Sequence, residues 1–150
     1  MIPVTDASWT YLADTVMGGV SEGSATLEDG ALRLRGHVST RNRGGFIQTR
    51  TEIDGAPDGA RGLRIRVRGN GEAYFIHLRT TRTRLPWQYY QARFETSSQW
   101  RDVTLDWADF AASGRLLPSR PRPAEIRSLG LVAYGRDHDA DVSLSAFGWV

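Results

Sequence analysis

Apolar alternation with a period of two constrains this chain more than any other feature. The stretch "GLRIRVRG" at 62–69 puts Leu63, Ile65 and Val67 on one side of an extended strand and Arg64, Arg66 and Arg68 on the other, because successive strand side chains point to opposite faces. The same pattern runs through "ALRLRG" at 31–36, "EAYFIHLRT" at 72–80 and "SLGLVAYG" at 128–135, and further strands are read in "GGFIQTR", "QYYQARFET", "WRDVTLDW" and "ADVSLSAFGWV". Asp-Gly in "EDGA" and Gly-Asn-Gly in "RGNGEA" supply the positive φ that hairpin turns require. About nine short strands separated by turns at this spacing predict an all-β sandwich or barrel. Helix is scarce, a single turn near "DWADFAAS", and "PSRPRPAE" at 118–125 reads as a proline-rich surface loop. No repeat or linker divides residues 1–150, which read as one domain able to bury about 70% of its unfolded surface.

Composition then removes whole classes of chemistry. The chain has no cysteine, which excludes disulfides, thiolate zinc sites and cysteine nucleophiles. It has no lysine either, so Schiff-base chemistry and lysine general bases are excluded while nineteen arginines remain. The formal charge of +2 does not call for a nucleic-acid partner. Arg33 with Arg35, and Arg64 with Arg66 and Arg68, read as solvated strand faces that discourage edge pairing. No run approaches the roughly 18 apolar residues of a membrane span. The expectation is a cytoplasmic protein, at most peripheral to the inner membrane.

The glycine-rich stretch "DTVMGGVSEG" at 14–23 invites a nucleotide reading and fails it. Gly18 and Gly23 have P-loop spacing, but Ser24 and Ala25 follow where a lysine and a hydroxyl are needed. Gly69 and Gly71 begin like a dinucleotide fingerprint, yet Tyr74 occupies the third glycine position and a strand follows where a helix is needed. The residue-level alternative is a glycine-rich turn before the first hairpin.

Trp9 followed by "DTVMGGVS" resembles the signature of the complex I intermediate-associated protein 30 family. "LRGHVSTRNRGGFIQTR" is similar to that family's strand, asparagine turn, Gly-Gly-aromatic step and closing arginine, here Gly44, Gly45, Phe46 and Arg50. "RVRGNGEAYFIHLRT", "YYQARFETSSQWRDVTLDWADF" and the tail "IRSLGLVAYGRDHDADVSLSAFGWV" continue the resemblance over nearly the whole chain. Asn70 stands where the family usually has aspartate, Glu72 and Ala73 replace an arginine-containing step, and "SGRLLPSRPRP" matches only loosely. The resemblance implies a galactose-binding-like jelly-roll β-sandwich, related in architecture to carbohydrate-binding modules. It also implies a non-catalytic, chaperone-like role in assembly of respiratory complex I (NADH dehydrogenase), with that complex's subunits or assembly intermediates as protein partners. The chain opens almost directly on the domain, without an arginine-rich import leader, which reads as a bacterial stand-alone member.

The candidate binding residues fall into two groups. Asp14 and Ser21 flank the turn of Met17, Gly18 and Gly19 and are placed to cap it, with Met17 as a soft apolar contact; Arg50 closes the second family block. His77 shares a strand face with Phe75 and Arg79, and "RTTRTRLPWQYYQAR" adds Trp87 and Tyr89. The plainer reading of that set is a solvated strand face beside ordinary core aromatics, and the functional one is a sugar or small-molecule groove on a concave sheet. Asp137, Asp139 and Asp141 alternate as in a calcium loop, but Val142 and Gly148 stand where an EF-hand needs glycine and glutamate, so an acidic turn is the plainer reading. No nucleophile and base occur at a recognisable spacing, and no cofactor is expected, so the chain is read as a binding protein rather than an enzyme.

Overall fold

The computed structural model describes residues 1–150. Twelve strands form in chain order: β1 (Ile2–Pro3), β2 (Thr10–Ala13), β3 (Glu22–Glu28), β4 (Ala31–Val38), β5 (Phe46–Glu52), β6 (Gly62–Gly69), β7 (Ala73–Thr80), β8 (Tyr90–Glu95), β9 (Arg101–Asp106), β10 (Ala111–Ala112), β11 (Ile126–Tyr134) and β12 (His138–Trp149). They build two six-stranded antiparallel sheets. The first runs β3-β4-β12-β6-β9 with β1 paired to β12, and the second runs β10-β8-β7-β11-β5-β2.

Parity decides which side of each strand meets the other sheet. Leu63, Ile65 and Val67 are fully buried, as the alternation predicts, together with Leu32 and Leu34 of β4 and Val142 and Leu144 of β12. Facing them across the sandwich are Ile47, Tyr74, Ile76, Leu78, Tyr90, Ala92, Leu129 and Leu131. These residues belong to one apolar cluster of 28, each large member worth about 1.5–3 kcal/mol relative to exposure. The β3–β4 hairpin turns through Asp29 and Gly30 with φ of 52° and 78°, the double positive-φ turn that matches strand twist.

Four strands escaped the periodicity: β3 is exposed along almost its whole length and shows no covered face. The two-residue β1 and β10 are too short to show any period, and "TYLA" of β2 is a four-residue strand at the sheet edge. The expected helical turn is a 3₁₀ turn at Trp107–Asp109, closed by a capping box between Asp106 and Asp109. No element is a helix long and apolar enough to cross a membrane.

The second sheet's register assembles a surface. Gly130 of β11 lies opposite Arg50 on one side and His77 on the other. Thr10 lies beyond Arg50, and Gln91 beyond His77. This row crosses the face turned away from the core.

Candidate functional site

The first candidate surface is the Met-Gly-Gly turn, and its foundation is Asp14. The carboxylate is fully buried. The Ser21 N–H donates to its Oδ1 at 3.0 Å, and the Ser21 hydroxyl and Gly45 N–H donate to its Oδ2, each at 2.6 Å. The Phe46 N–H approaches the same oxygen at 3.4 Å. Burial pushes the Asp14 carboxyl up, but the bonds from the Ser21 hydroxyl and from the Gly45, Ser21 and Phe46 N–H groups outweigh it and hold the group below its usual range. The Ser21 Oγ in turn accepts from the Ser39 N–H at 2.9 Å. One carboxylate therefore ties the 14–21 turn to the 39–46 segment.

The surrounding glycines follow from that burial. A Cβ on Gly19 would stand 2.6 Å from Asp14 Oδ1, and one on Gly44 would stand 2.8 Å from Asp14 Cγ. Gly18 ends the 3₁₀ turn of Asp14–Met17 in the left-handed conformation, φ 86°, and its carbonyl accepts from the Asn42 side-chain amide at 3.2 Å. The turn lifts Met17 to 61% exposure, with Val16 and Val20 also exposed.

The second candidate surface is the outer face of the β5, β7, β8 and β11 sheet. His77 is buried, its ring stacked on Tyr89 at 4.1 Å and 10°, with Nε2 2.7 Å from Gln91 Oε1. Burial pushes its pKa down to about 4; the Gln91 bond opposes this, and Arg50 and Arg79 add to it. The imidazole is neutral at neutral pH, which fits a stacking role. Tyr89 is pushed up to about 12 by burial first and then by Tyr134, and Tyr134 also packs edge-on against Phe75 at 5.9 Å. Arg50 is half-buried on the same face, its Nε buried without a hydrogen-bond partner, and burial alone pushes its pKa down. A cleft of about 750 Å³ runs from Arg50 past Thr10 and Leu12 toward Phe147 and Trp149.

Arg79 shares that face but its donors are used. Its guanidinium donates to the carbonyls of Thr83, Leu85, Pro86 and Gln88 at 2.9–3.2 Å, so it braces the 81–89 loop that carries the exposed Trp87. The three alternating aspartates are likewise drawn apart. Asp137 accepts from Thr40, Asp139 pairs with His37, and Asp141 takes a two-pronged contact from Arg33 at 2.9 and 2.7 Å. No three carboxylate or imidazole groups are gathered to hold a metal ion. Asn70 uses both ends of its amide: Nδ2 donates to the Asp139 carbonyl at 2.9 Å and Oδ1 accepts from the Tyr74 hydroxyl at 2.6 Å. An aspartate there could not make the first bond.

Sequence reasoning did not single out Gln91 or Tyr134. Both stand on the outward parity of their strands, and only the cross-strand register brings them to His77.

The two-sheet sandwich is a jelly roll of the galactose-binding-like kind. It is similar to the family 11 carbohydrate-binding module of the cellulosomal cellulase Lic26A-Cel5E of Clostridium thermocellum, with 11% identity over 95% of this chain and 86% of that one and a TM-score of 0.72. A family 11 module from the same organism, solved in complex with a β-1,3-1,4-mixed-linked tetrasaccharide, gives 13% identity, 95% and 88% coverage and a TM-score of 0.69. A part of the agarase AgWH50C also resembles it, with 12% identity over 94% of this chain but 23% of the enzyme and a TM-score of 0.64. No curated protein matches the sequence. The sequence profile of complex I intermediate-associated protein 30 (CIA30) matches residues 3–145. The chain belongs to that family.

Proposed function

We propose that this protein is a non-catalytic, chaperone-like binding factor in the assembly of respiratory complex I, acting from the cytoplasmic side on subunits or assembly intermediates of the NADH dehydrogenase. Family membership supports the process. The observation that carries the proposal to a surface is the exposed Val16, Met17 and Val20 group, held on a turn that the buried Asp14 fixes from beneath. Exposed apolar side chains on a rigid support lose little entropy on docking, so more of their burial appears as affinity. Met17 adds an unbranched, polarizable contact able to fit more than one intermediate. The test is genetic. Deleting the gene in its host should lower the amount of assembled complex I on native gels, and the wild-type chain should restore it while a Val16→Ser, Met17→Ser double variant should not. Unchanged complex I in the deletion strain would end the proposal.

One observation favours a second reading. The half-buried Tyr89 ring, backed by the stacked His77 and on the same sheet face as the half-buried Arg50, is an aromatic beside a cation of the type that binds sugars, and one similar solved structure holds a tetrasaccharide. Titration with glucan and galactan oligosaccharides, compared with a Tyr89→Ala variant, decides it: saturable binding lost in the variant supports a carbohydrate or small-molecule module, and no heat of binding removes it.

A further inference from the structure

We propose that the 81–89 and 113–122 loops together form a docking site for an anionic lipid bilayer. The two loops are one structure. The β8–β10 ladder pairs Gln91 with Ala111 and Tyr90 with Ala112, and it continues as the Ser113 N–H donates to the Tyr89 carbonyl. The Ser113 Oγ accepts from the Tyr89 N–H at 2.9 Å and donates to the Trp87 carbonyl at 2.7 Å. The Tyr90 hydroxyl donates to the Pro118 carbonyl at 2.7 Å, and Arg79 grips four carbonyls of the first loop.

On this braced base the apolar side chains point out. Leu117 is buried and anchors its loop, while its neighbour Leu116 is 88% exposed and Trp87 is 65% exposed, with Leu85 exposed as well. The same two loops carry Arg82, Arg84, Arg115, Arg120 and Arg122, all exposed. Glu125 is the only acid within 81–90 and 113–125, and Arg82 and Arg122 share it at 3.1 and 3.9 Å. Arg84, Arg115 and Arg120 enter no ion pair, and what sets the two loops apart is that they hold five arginines against the single Glu125.

An exposed indole and two exposed leucines carried on the same braced loops as three unpaired arginines match the boundary between acyl chains and an anionic headgroup layer. A sugar-phosphate backbone would use the arginines but has no partner for Leu85 or Leu116. The site also lies away from the Met17 turn. The antiparallel register puts Phe46, which contacts Asp14, at the Tyr134 end of the second sheet, and Thr80, which leads into the 81–89 loop, at the opposite Ile126 end. A protein seated on the bilayer by these loops keeps its other end free.

Co-sedimentation with phosphatidylcholine vesicles, with and without phosphatidylglycerol, tests the proposal without any complex I subunit, so its outcome is separate from that of the assembly role. The wild-type chain is expected to bind only the phosphatidylglycerol vesicles and to be released by salt. An Arg84→Gln, Arg115→Gln, Arg120→Gln triple variant should bind on the order of a hundredfold more weakly, at about 1 kcal/mol per arginine near an anionic surface. Met17→Ser should bind as wild type. Brominated lipid should quench the wild-type tryptophan emission, and Trp87→Phe should remove that quenching; both substitutions are at the surface and leave the fold intact. Equal binding to both lipid compositions, unchanged binding by the triple variant, or binding to single-stranded RNA with the same arginine dependence and none to vesicles would overturn it.

Discussion

The Asp14 carboxylate fills the space where Gly44 would carry a side chain, a Cβ there standing 2.8 Å from Cγ. Gly19 meets the same carboxylate from the other side. Gly19 and Gly44, far apart in sequence, thus make room for one buried charge, to which the Gly45 N–H donates. Their spacing needs no phosphate ligand to account for it.

Replacing Asp14 by alanine strands the donors of Ser21 and Gly45 in a buried site, and the expected loss of stability is about 3–5 kcal/mol. Gly44→Ala should cost at least about 2 kcal/mol by overpacking the same carboxylate. Urea denaturation followed by tryptophan emission measures both. A midpoint shift within error for Asp14→Ala would mean that the turn is held by something else.

His77 makes stability depend on pH in a defined window. Its folded pKa of about 4 lies below the 6.5 of the free side chain, so between these values the unfolded chain binds the proton that the folded chain refuses. Stability is therefore full above pH 6.5 and falls as the pH drops toward 4, by about 3 kcal/mol in all. Asp14, whose folded pKa lies below 3.8, adds its loss only in more acid solution. Denaturant midpoints measured across this range for wild type and His77→Gln check the sign. The variant should flatten the upper part of the curve, and an identical curve would show that His77 does not set this dependence.

Arg79 is expected to act on a loop rather than on a ligand. Lysine keeps the charge but cannot span four carbonyls, so Arg79→Lys should speed tryptic cleavage after Arg82 and Arg84 severalfold while leaving the global unfolding midpoint within about 1 kcal/mol. Unchanged cleavage would show that the Ser113 contacts alone hold the loop.

The strand faces were legible because parity is a local property. Leu63, Ile65 and Val67 went inward, Tyr90, Ala92 and Phe94 likewise, and His77 fell on the face of Phe75 and Arg79, all as the alternation requires. Cross-strand partners were not legible, because Gln91 reaches His77 only through the β7–β8 register and Asp14 reaches Gly45 only through the folded β2–β5 edge. The aspartates at 137, 139 and 141 illustrate the same limit. Their spacing in sequence suits a calcium loop, yet the strand carries them to three different partners on two other segments. The short β1, β2 and β10, and the exposed β3, were missed because pairing, not composition, makes them strands.

The Met17 turn is proposed to engage complex I subunits. The most direct measurement is a cross-linked pull-down of the tagged protein from solubilised membranes of its own host, beside the Val16→Ser, Met17→Ser variant, with captured proteins identified by mass spectrometry. Enrichment of NADH dehydrogenase subunits by the wild-type chain, lost in a variant that folds normally, is the expected result. Equal enrichment by both chains, or recovery of no such subunit by either, would contradict it.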